Sequence, residues 1–188
     1  TNYTLSGGVV SVSINKASAT ITANSSTLTY NGLTQSVSGF TATGLVNGET
    51  SSVLTGVTTS GGVGMNVGSY TLTASGTDSN YSLTFVNGAL TINPATVTLT
   101  GITKTYDGTT AKGNTTMTIT GVNGETLNFS GATYNNKNVS ANGSNYLTAL
   151  TLADNGSYLA SNYQLPTLSL SNAAATINKA NATVTANS

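Results

Sequence analysis

The sequence contains no cysteine, no histidine, no tryptophan and no arginine, and only 5% of its 188 residues are charged. Without histidine and cysteine, the common catalytic triads and the thiol nucleophiles are excluded. Zinc, copper and haem sites lose their usual ligands for the same reason, and no disulfide can stabilise the fold. The chain therefore lacks most of the side chains with which enzymes do chemistry, and we expect it not to be an enzyme.

Charge is equally scarce. Five lysines balance five acidic residues, so the formal net charge is zero. Nucleic acids and anionic membranes are bound by clustered lysine and arginine, and the sequence has no such cluster. No apolar run approaches the roughly 18 residues of a transmembrane helix. We expect no nucleic-acid partner and no membrane insertion.

Threonine is abundant, at about a fifth of the residues, and valine, isoleucine, leucine and tyrosine accompany it. Residues of these types favour strands. In several runs apolar residues alternate with threonine, which is the period of a half-buried strand. No segment has the spacing of an amphipathic helix. The sequence therefore predicts an all-β fold, and the runs that indicate it most clearly are 20–23, 70–74, 96–100 and 116–120.

Internal repetition is the strongest feature of the sequence. An Ile-Asn pair recurs at spacings of 78 and 85 residues, as Ile14-Asn15, Ile92-Asn93 and Ile177-Asn178. Two further motifs recur at an offset of 76 residues: Tyr30-Asn31-Gly32 with Tyr106-Asp107-Gly108, and Asn47-Gly48-Glu49 with Asn123-Gly124-Glu125. An Asn-Tyr-x-Leu motif, which contains Tyr81 and Tyr163, precedes the second and third Ile-Asn pairs.

These landmarks predict two whole modules, 16–93 and 94–178, between the last strand of a preceding module (1–15) and the first strand of a following one (179–188). A module of about 80 residues suggests a small β-sandwich of the immunoglobulin-like type. β-Grasp-like modules are the alternative, whereas a continuous solenoid would need a shorter repeat. No Gly/Ser-rich linker separates the modules, so we expect a stiff, elongated array.

Turn residues add local predictions. Asn87-Gly88, between the apolar runs 83–86 and 89–92, predicts a hairpin with a two-residue type I′ turn. The 30–32 turn (Tyr30-Asn31-Gly32) and the 106–108 turn (Tyr106-Asp107-Gly108) are expected to be turns of the same kind. We expect Tyr81 and Tyr163 to be packed anchors with their hydroxyls at the surface.

Five carboxylates remain as candidate functional groups: Glu49, Asp78, Asp107, Glu125 and Asp154. Glu49 and Glu125 are repeat equivalents, so each module holds one glutamate instead of the facing pair of a glycosidase. We expect both to cap backbone N–H groups. Asp107 and Asp154 are isolated, which favours Asx hydrogen bonds over calcium sites, since calcium takes six to eight oxygens.

We therefore expect no metal and no cofactor. A covalent alternative stays open: Lys16 or Lys104, if placed near a glutamate, could form an isopeptide bond with an asparagine. Such a bond would lighten the intact mass by one ammonia.

The residues 104–110, Lys-Thr-Tyr-Asp-Gly-Thr-Thr, resemble the signature of the YDG domain of bacterial surface proteins. The segments 28–32, 39–40, 47–49, 68–71 and 80–88 resemble an MBG repeat. Asn31 stands where the YDG motif has Asp107, so a role of the aspartate side chain is not common to both modules.

The resemblance implies an extracellular adhesin of the filamentous-haemagglutinin or two-partner-secretion kind, located at the bacterial cell surface. It carries over no catalytic residue. We expect monomeric stalk repeats that contact neighbouring modules and extend an adhesive tip. The alternative is that the modules themselves bind a host glycan, a mucin or a biofilm polysaccharide.

Overall fold

A computed structural model describes residues 7–8 and 12–186, and its fold is all-β, as predicted. Helical structure in these residues is confined to single 3-10 turns at Ser51–Val53, Val122–Gly124, Val139–Ala141 and Ala160–Asn162. None of them has the length and hydropathy of a membrane span. The strands are β1 Ala17–Ala23, β2 Ser26–Thr29, β3 Gln35–Ser36, β4 Phe40–Thr43, β5 Val57–Gly61, β6 Val63–Gly64, β7 Gly68–Gly76, β8 Tyr81–Val86, β9 Gly88–Asn93, β10 Ala95–Thr96, β11 Thr98–Thr105, β12 Thr116–Thr120, β13 Thr126–Tyr134, β14 Leu147–Ala153, β15 Tyr163–Gln164 and β16 Ala175–Asn178.

The chain divides into two compact units. Unit 1 contains the described residues up to 26 together with 36–63 and 70–90. Unit 2 contains 27–35, 64–69 and the described residues from 91 onwards. Strands of the four-stranded sheet β2-β9-β7-β5 and of the pair β3-β6 have residues in both units.

Unit 1 contains the three-stranded sheet β4-β1-β8, in which β1 lies antiparallel to β4 and parallel to β8. The antiparallel pair β5 and β7 belongs to a second sheet. Buried side chains of both sheets form one core, because alternate residues of each strand face it. The core residues are Ala19, Ile21, Ala23, Leu54, Val57, Leu72, Ala74 and Tyr81.

Unit 2 contains the five-stranded sheet β14-β13-β12-β11-β16 and the parallel pair β10 and β15. Strand β11 is antiparallel to β12 and parallel to β16. A break in the register of β11 against β12, between Thr100 and Thr103, contains Gly101, whose φ is 64°. The buried apolar residues of these strands are Val97, Leu99, Ile102, Ile119, Leu127, Ala132, Tyr134, Leu147, Leu150, Tyr163, Ala175 and Ile177, with Val97 adjoining β11.

The alternation that predicted the strands is confirmed at residue level. In β1, Ile21 and Ala23 are buried, and Thr22 between them is exposed. In β11, Leu99 is buried between exposed Thr98 and Thr100. Threonine therefore forms the solvated face, where its branched Cβ retains strand propensity and its hydroxyl meets water.

The predicted hairpin at Asn87-Gly88 is wrong. Strand β8 belongs to the sheet β4-β1-β8, whereas β9 belongs to β2-β9-β7-β5, so the chain passes from one sheet to another. Neither residue has a positive φ. Gly88 is required for another reason: a Cβ there would collide with the backbone carbonyl oxygens of Ala23 and Asn24. The glycine permits a close backbone approach.

The expected flanking strands fall partly outside the described residues. Of the segment 1–15, residues 1–6 and 9–11 lie outside them, and the remainder has no strand. Residues 179–186 also have no strand, and 187–188 lie outside the described residues. The immunoglobulin-like class of the modules stays a prediction, as does its β-grasp-like alternative.

Replacing Gly88 by alanine is expected to destabilise the protein by about 1–3 kcal/mol, because backbone must move to admit the new Cβ. Gly131 in β13 is the matched control, since a Cβ there would meet only Thr151 at ordinary contact distance, 3.5 Å, and its φ is not positive. Urea unfolding of Gly88→Ala and Gly131→Ala measures both effects. Equal stabilities would contradict the assignment of Gly88 to a close approach.

Candidate functional site

A buried carboxylate lies at the centre of the most extensive side-chain cluster in unit 2. Glu125 is only 7% exposed and lies between the 3-10 turn Val122–Gly124 and strand β13. Tyr163, the first residue of β15, donates its hydroxyl hydrogen bond to Glu125 Oε2 at 2.6 Å. The Tyr30 hydroxyl lies 3.2 and 3.1 Å from the two carboxylate oxygens. We call these three residues the Tyr-Glu-Tyr cluster.

The two tyrosines also pack against each other. Their ring centroids are 5.3 Å apart and their planes cross at 81°, the edge-to-face arrangement that aromatic rings favour. The hydroxyl of Tyr163 accepts a hydrogen bond from the Val122 backbone N–H, at 3.2 Å, while it donates to the carboxylate. The hydroxyl is therefore held from both sides.

Phenol hydroxyls take the place of a cation at Glu125. The only ion pair in the described part of the chain lies elsewhere, at Lys104. Hydrogen bonds to an ionised acceptor are short and strong, so two of them offset part of the cost of burying the carboxylate. Burial, and then the hydrogen bond to Glu125, raise the pKa of Tyr163 and that of Tyr30.

Two expectations about these residues are wrong. The Glu125 carboxylate was expected to cap backbone N–H groups, but the adjoining 3-10 turn has no side-chain cap and the carboxylate binds tyrosine hydroxyls. The Tyr163 hydroxyl was expected at the surface, but its hydrogen bond to Glu125 is buried. Both errors have one physical cause: the carboxylate and the phenol satisfy each other inside the unit.

The 30–32 turn fits closely against the glutamate. The Asn31 side chain accepts a hydrogen bond from the Leu33 N–H at 2.9 Å, which is an Asx turn. Gly32 has φ 76°, and a Cβ on it would lie 2.7 Å from Glu125 Oε1 and 2.9 Å from Asn123 Nδ2. Only glycine therefore fits at the third position of the turn without displacing the carboxylate.

Asn123 completes the contact with the turn. It has a left-handed backbone conformation, with φ 51°, and its amide donates a hydrogen bond to the Asn31 carbonyl at 2.8 Å. Asn162 adds a second contact inside unit 2: it accepts a hydrogen bond from the Val67 N–H and donates one to Asn66, both at 2.9 Å. The segments 27–35 and 64–69 are thereby bonded into unit 2.

Unit 1 contains the repeat equivalent of this glutamate–tyrosine pair. The Tyr81 hydroxyl donates to Glu49 Oε2 at 2.5 Å and accepts from the Val46 N–H at 3.0 Å. The hydrogen bond to Glu49 raises the pKa of Tyr81. Tyr81 is buried as predicted, but Glu49 is exposed, unlike Glu125.

The 106–108 turn is anchored by a second polar cluster in unit 2. Lys104 is only 2% exposed, and its ammonium lies 2.8 Å from Asp107 Oδ1. The ammonium also donates to the carbonyls of Thr109 and Ala111, at 2.9 and 2.6 Å. Asp107 in turn accepts hydrogen bonds from the N–H and hydroxyl of Thr109, both at 2.9 Å. The expected Asx turn at Asp107 is therefore present.

This cluster explains why the two turns differ at their second residue. Lys104 and Asp107 stand where the first module has Leu28 and Asn31, at an offset of 76 residues. The bond to Lys104 lowers the Asp107 pKa to about 2. The aspartate occurs with its lysine and the asparagine occurs without one, since a buried ammonium needs a charged partner.

The remaining candidate groups are separate from one another. Asp154 accepts the Ala160 N–H at 2.7 Å, and the Lys16 ammonium donates to the Asp78 carbonyl at 2.7 Å. Residues 7–8 and 12–186 contain no group of three or more histidine, cysteine, aspartate or glutamate residues placed to hold a metal ion. Neither Lys16 nor Lys104 has a glutamate among its hydrogen-bonding partners there.

The sequence signal for the Tyr-Glu-Tyr cluster was the recurrence of Asn-Gly-Glu and Asn-Tyr at matched offsets. Sequence reasoning had found Tyr30 and Tyr163 but had not connected them with Glu125. It missed Asn123 and Asn162 as hydrogen-bonding residues. Their partners are 92 to 96 positions away in the chain, and no local pattern indicates such contacts.

Replacing Tyr163 by phenylalanine is expected to destabilise the protein at neutral pH by about 1.5–3 kcal/mol, because a buried carboxylate loses a hydrogen-bond donor. The raised tyrosine pKa values stabilise the fold below pH 10, the unfolded value, and this contribution is lost as pH rises through the higher folded values. Tyr163→Phe should therefore make the alkaline decline shallower. Urea unfolding from pH 7 to 11 measures both effects, and exposed Tyr158→Phe is the control.

Acid is expected to destabilise the protein through Asp107. Because its folded pKa of about 2 lies below the unfolded value of about 3.9, its contribution is complete above pH 4 and is lost as pH falls towards 2. Asp107→Asn should remove this part of the pH dependence and lower stability at pH 7. Asp154→Asn, which leaves the Lys104–Asp107 pair intact, should keep it. Urea unfolding between pH 2 and 6 distinguishes the two variants.

Comparison with known protein families identifies two successive domains. Residues 19–91 match the family model described as MBG domain (YGX type), and residues 90–173 match the YDG domain. No curated protein and no solved structure matches the chain. MBG and YDG domains are associated with surface adhesin-like repeat proteins. The family matches confirm the resemblance of the sequence motifs, so the chain contains an MBG domain of the YGX type followed by a YDG domain.

Proposed function

We propose that the chain supplies structural stalk repeats of a secreted bacterial surface adhesin, which carry an adhesive tip away from the cell. On this proposal the chain is monomeric, extracellular and not an enzyme, and its partners are neighbouring modules. The association of both families with surface repeat proteins supports this. The near absence of charge also supports it, since a stalk without charged patches avoids nonspecific attachment.

The observation that carries the proposal is a parallel strand pair in each unit. In unit 1, β1 pairs in parallel with β8, from Ala17 opposite Tyr81 to Thr22 opposite Val86. In unit 2, β11 pairs in parallel with β16, from Ile102 opposite Ala175 to Thr105 opposite Asn178. In both pairs an early strand of the unit lies beside a late one.

This arrangement suits a chain under tension. Force applied to the N-terminal end of one strand and the C-terminal end of its parallel neighbour slides the strands along each other. The evenly spaced hydrogen bonds of the parallel ladder then carry the load together. Pulling both strands from the same end instead breaks the bonds one after another, which needs less force. A stalk benefits from the first geometry.

The two geometries can be compared in one protein, because the chain has no cysteine and introduced thiols are unique handles. The variant Thr100→Cys/Asn178→Cys places handles at opposite ends of the β11–β16 pair, and Thr105→Cys/Asn178→Cys places them at the same end. In single-molecule force spectroscopy we expect the first variant to resist several-fold more force than the second.

Chemical denaturation of both variants is the control, because equal equilibrium stabilities assign the difference to the pulling direction. Equal rupture forces would contradict a load-bearing role. Specific, saturable binding of the unmodified chain on a glycan array would contradict a purely structural one and would favour the alternative of glycan recognition.

A further inference from the structure

The 30–32 turn and the glutamate–tyrosine pair on which it lies form a closed joint inside unit 2. Its elements are the buried Tyr30 hydroxyl at Glu125, the Asn123 amide at the Asn31 carbonyl, and the close approach of Gly32 to the glutamate. Each element of this joint occurs a second time in the chain, but there the two halves are not joined to each other.

The first open half is the Glu49–Tyr81 pair of unit 1, which repeats the geometry of Glu125–Tyr163. The hydroxyl-to-carboxylate distances are 2.5 and 2.6 Å, and the same hydroxyls accept from the N–H groups of Val46 and Val122 at 3.0 and 3.2 Å. Asn47 has φ 60°, the left-handed conformation of Asn123. In the described residues these are the two non-glycine residues with a positive φ.

A cavity of about 300 Å³ lies beside this pair. Ile14, Lys16, Val46, Glu49 and Asn80 are among the residues that line it. Asn80 is the equivalent of Asn162 but is exposed, whereas Asn162 is buried by its contacts within the closed joint. The pocket thus has the polar groups of the closed joint, with solvent where the turn would lie.

The second open half is the 106–108 turn of unit 2. The Tyr106 N–H donates to the Asn178 carbonyl at 2.9 Å, as the Tyr30 N–H donates to the Asn93 carbonyl at 2.8 Å. Gly108 has φ 81°, close to the 76° of Gly32. The two turns differ in what covers them. Tyr106 is 40% exposed against 6% for Tyr30, and a Cβ on Gly108 would meet nothing within 4 Å.

We propose that the Glu49–Tyr81 pocket binds the 106–108 turn of a second copy of this chain, so that copies associate head to tail through the contacts of the closed joint. Tyr106 donates its hydroxyl hydrogen bond to Glu49, and the Asn47 amide donates to the carbonyl of Asp107. Gly108 lies against the glutamate. The pocket is thus specific for a Tyr-x-Gly turn, because any side chain at the third position would displace the carboxylate.

A second pair of matched residues supports this occupant. In the closed joint Asn162 bonds the Asn66-Val67 segment. The same dipeptide recurs as Asn138-Val139, and these residues line one cavity together with Tyr106. Asn80 at the pocket and Asn138 beside the turn are therefore placed to repeat the bond between Asn162 and Asn66.

A register-matched tandem of the chain tests the proposal. Residues 1–178 are followed directly by residues 16–188, which preserves the local sequence because Ile14-Asn15-Lys16-Ala17 and Ile177-Asn178-Lys179-Ala180 are identical. Tethering raises the effective concentration of the two halves. The readout is nitration of Tyr106 by tetranitromethane, followed by mass spectrometry, with exposed Tyr158 as internal reference.

We expect one of the two Tyr106 side chains in the tandem to be protected, so that nitration falls to about half of its extent in the single chain. Glu49→Ala in the second copy should restore full nitration. Gly108→Asn in the first copy should do the same, because asparagine tolerates a positive φ but its side chain blocks the approach. Gly156→Asn, at another open glycine with φ 91°, is the matched control and should leave Tyr106 protected.

Full nitration of both Tyr106 residues in the tandem would overturn the proposal. So would protection that persists in both Glu49→Ala and Gly108→Asn, because protection would then have a cause other than the joint. Neither result bears on the load-bearing role of the parallel strands, which is measured within a single unit.

Discussion

Unit 2 depends on one buried negative charge. The Glu125 carboxylate is removed from water without a lysine or arginine beside it, and the hydroxyls of Tyr30 and Tyr163 provide its hydrogen bonds. One of these donors comes from a segment whose sequence belongs to the MBG match, and the other comes from the YDG match. The folded unit therefore does not end where the sequence domain ends. Residues 27–35 and 64–69 are needed to satisfy a charge that lies about 60 to 100 positions further along the chain.

The two Tyr-x-Gly turns present the same backbone shape by different means. In the 30–32 turn, the Asx hydrogen bond of Asn31 and the contact with Glu125 are sufficient. In the 106–108 turn, the Lys104–Asp107 pair inside the unit holds the loop. The second turn therefore keeps its shape without a glutamate against it. A turn that is ordered before it meets a partner loses less entropy on binding, which is why the exposed turn suits docking.

The parallel pairs connect the architecture with the proposed function. A parallel ladder places the N-terminal end of one strand and the C-terminal end of its neighbour at opposite ends of the same bonded stretch. Both units have this arrangement, although their sheets differ in strand number and order. Low charge and the lack of reactive side chains agree with a role in which geometry and mechanical resistance matter more than chemistry.

The all-β class, the solvated threonine faces, the burial of the strand residues and the identity of both domain families followed from the sequence alone. These properties depend on local periodicity and on motif order, which one chain displays directly. The sequence also marked Tyr30, Tyr106, Tyr81 and Tyr163 as repeated, and it marked the recurrence of Asn-Gly-Glu.

Only the tertiary structure decided what those residues do. It turned Asn87-Gly88 from a hairpin into a passage between sheets, because the glycine is needed for a backbone approach that no local pattern encodes. It placed Glu125 between two tyrosines instead of at a backbone cap. Hydrogen-bond partners of a buried charge are selected by distance in space, and residues 38 and 95 positions away along the chain satisfied this one.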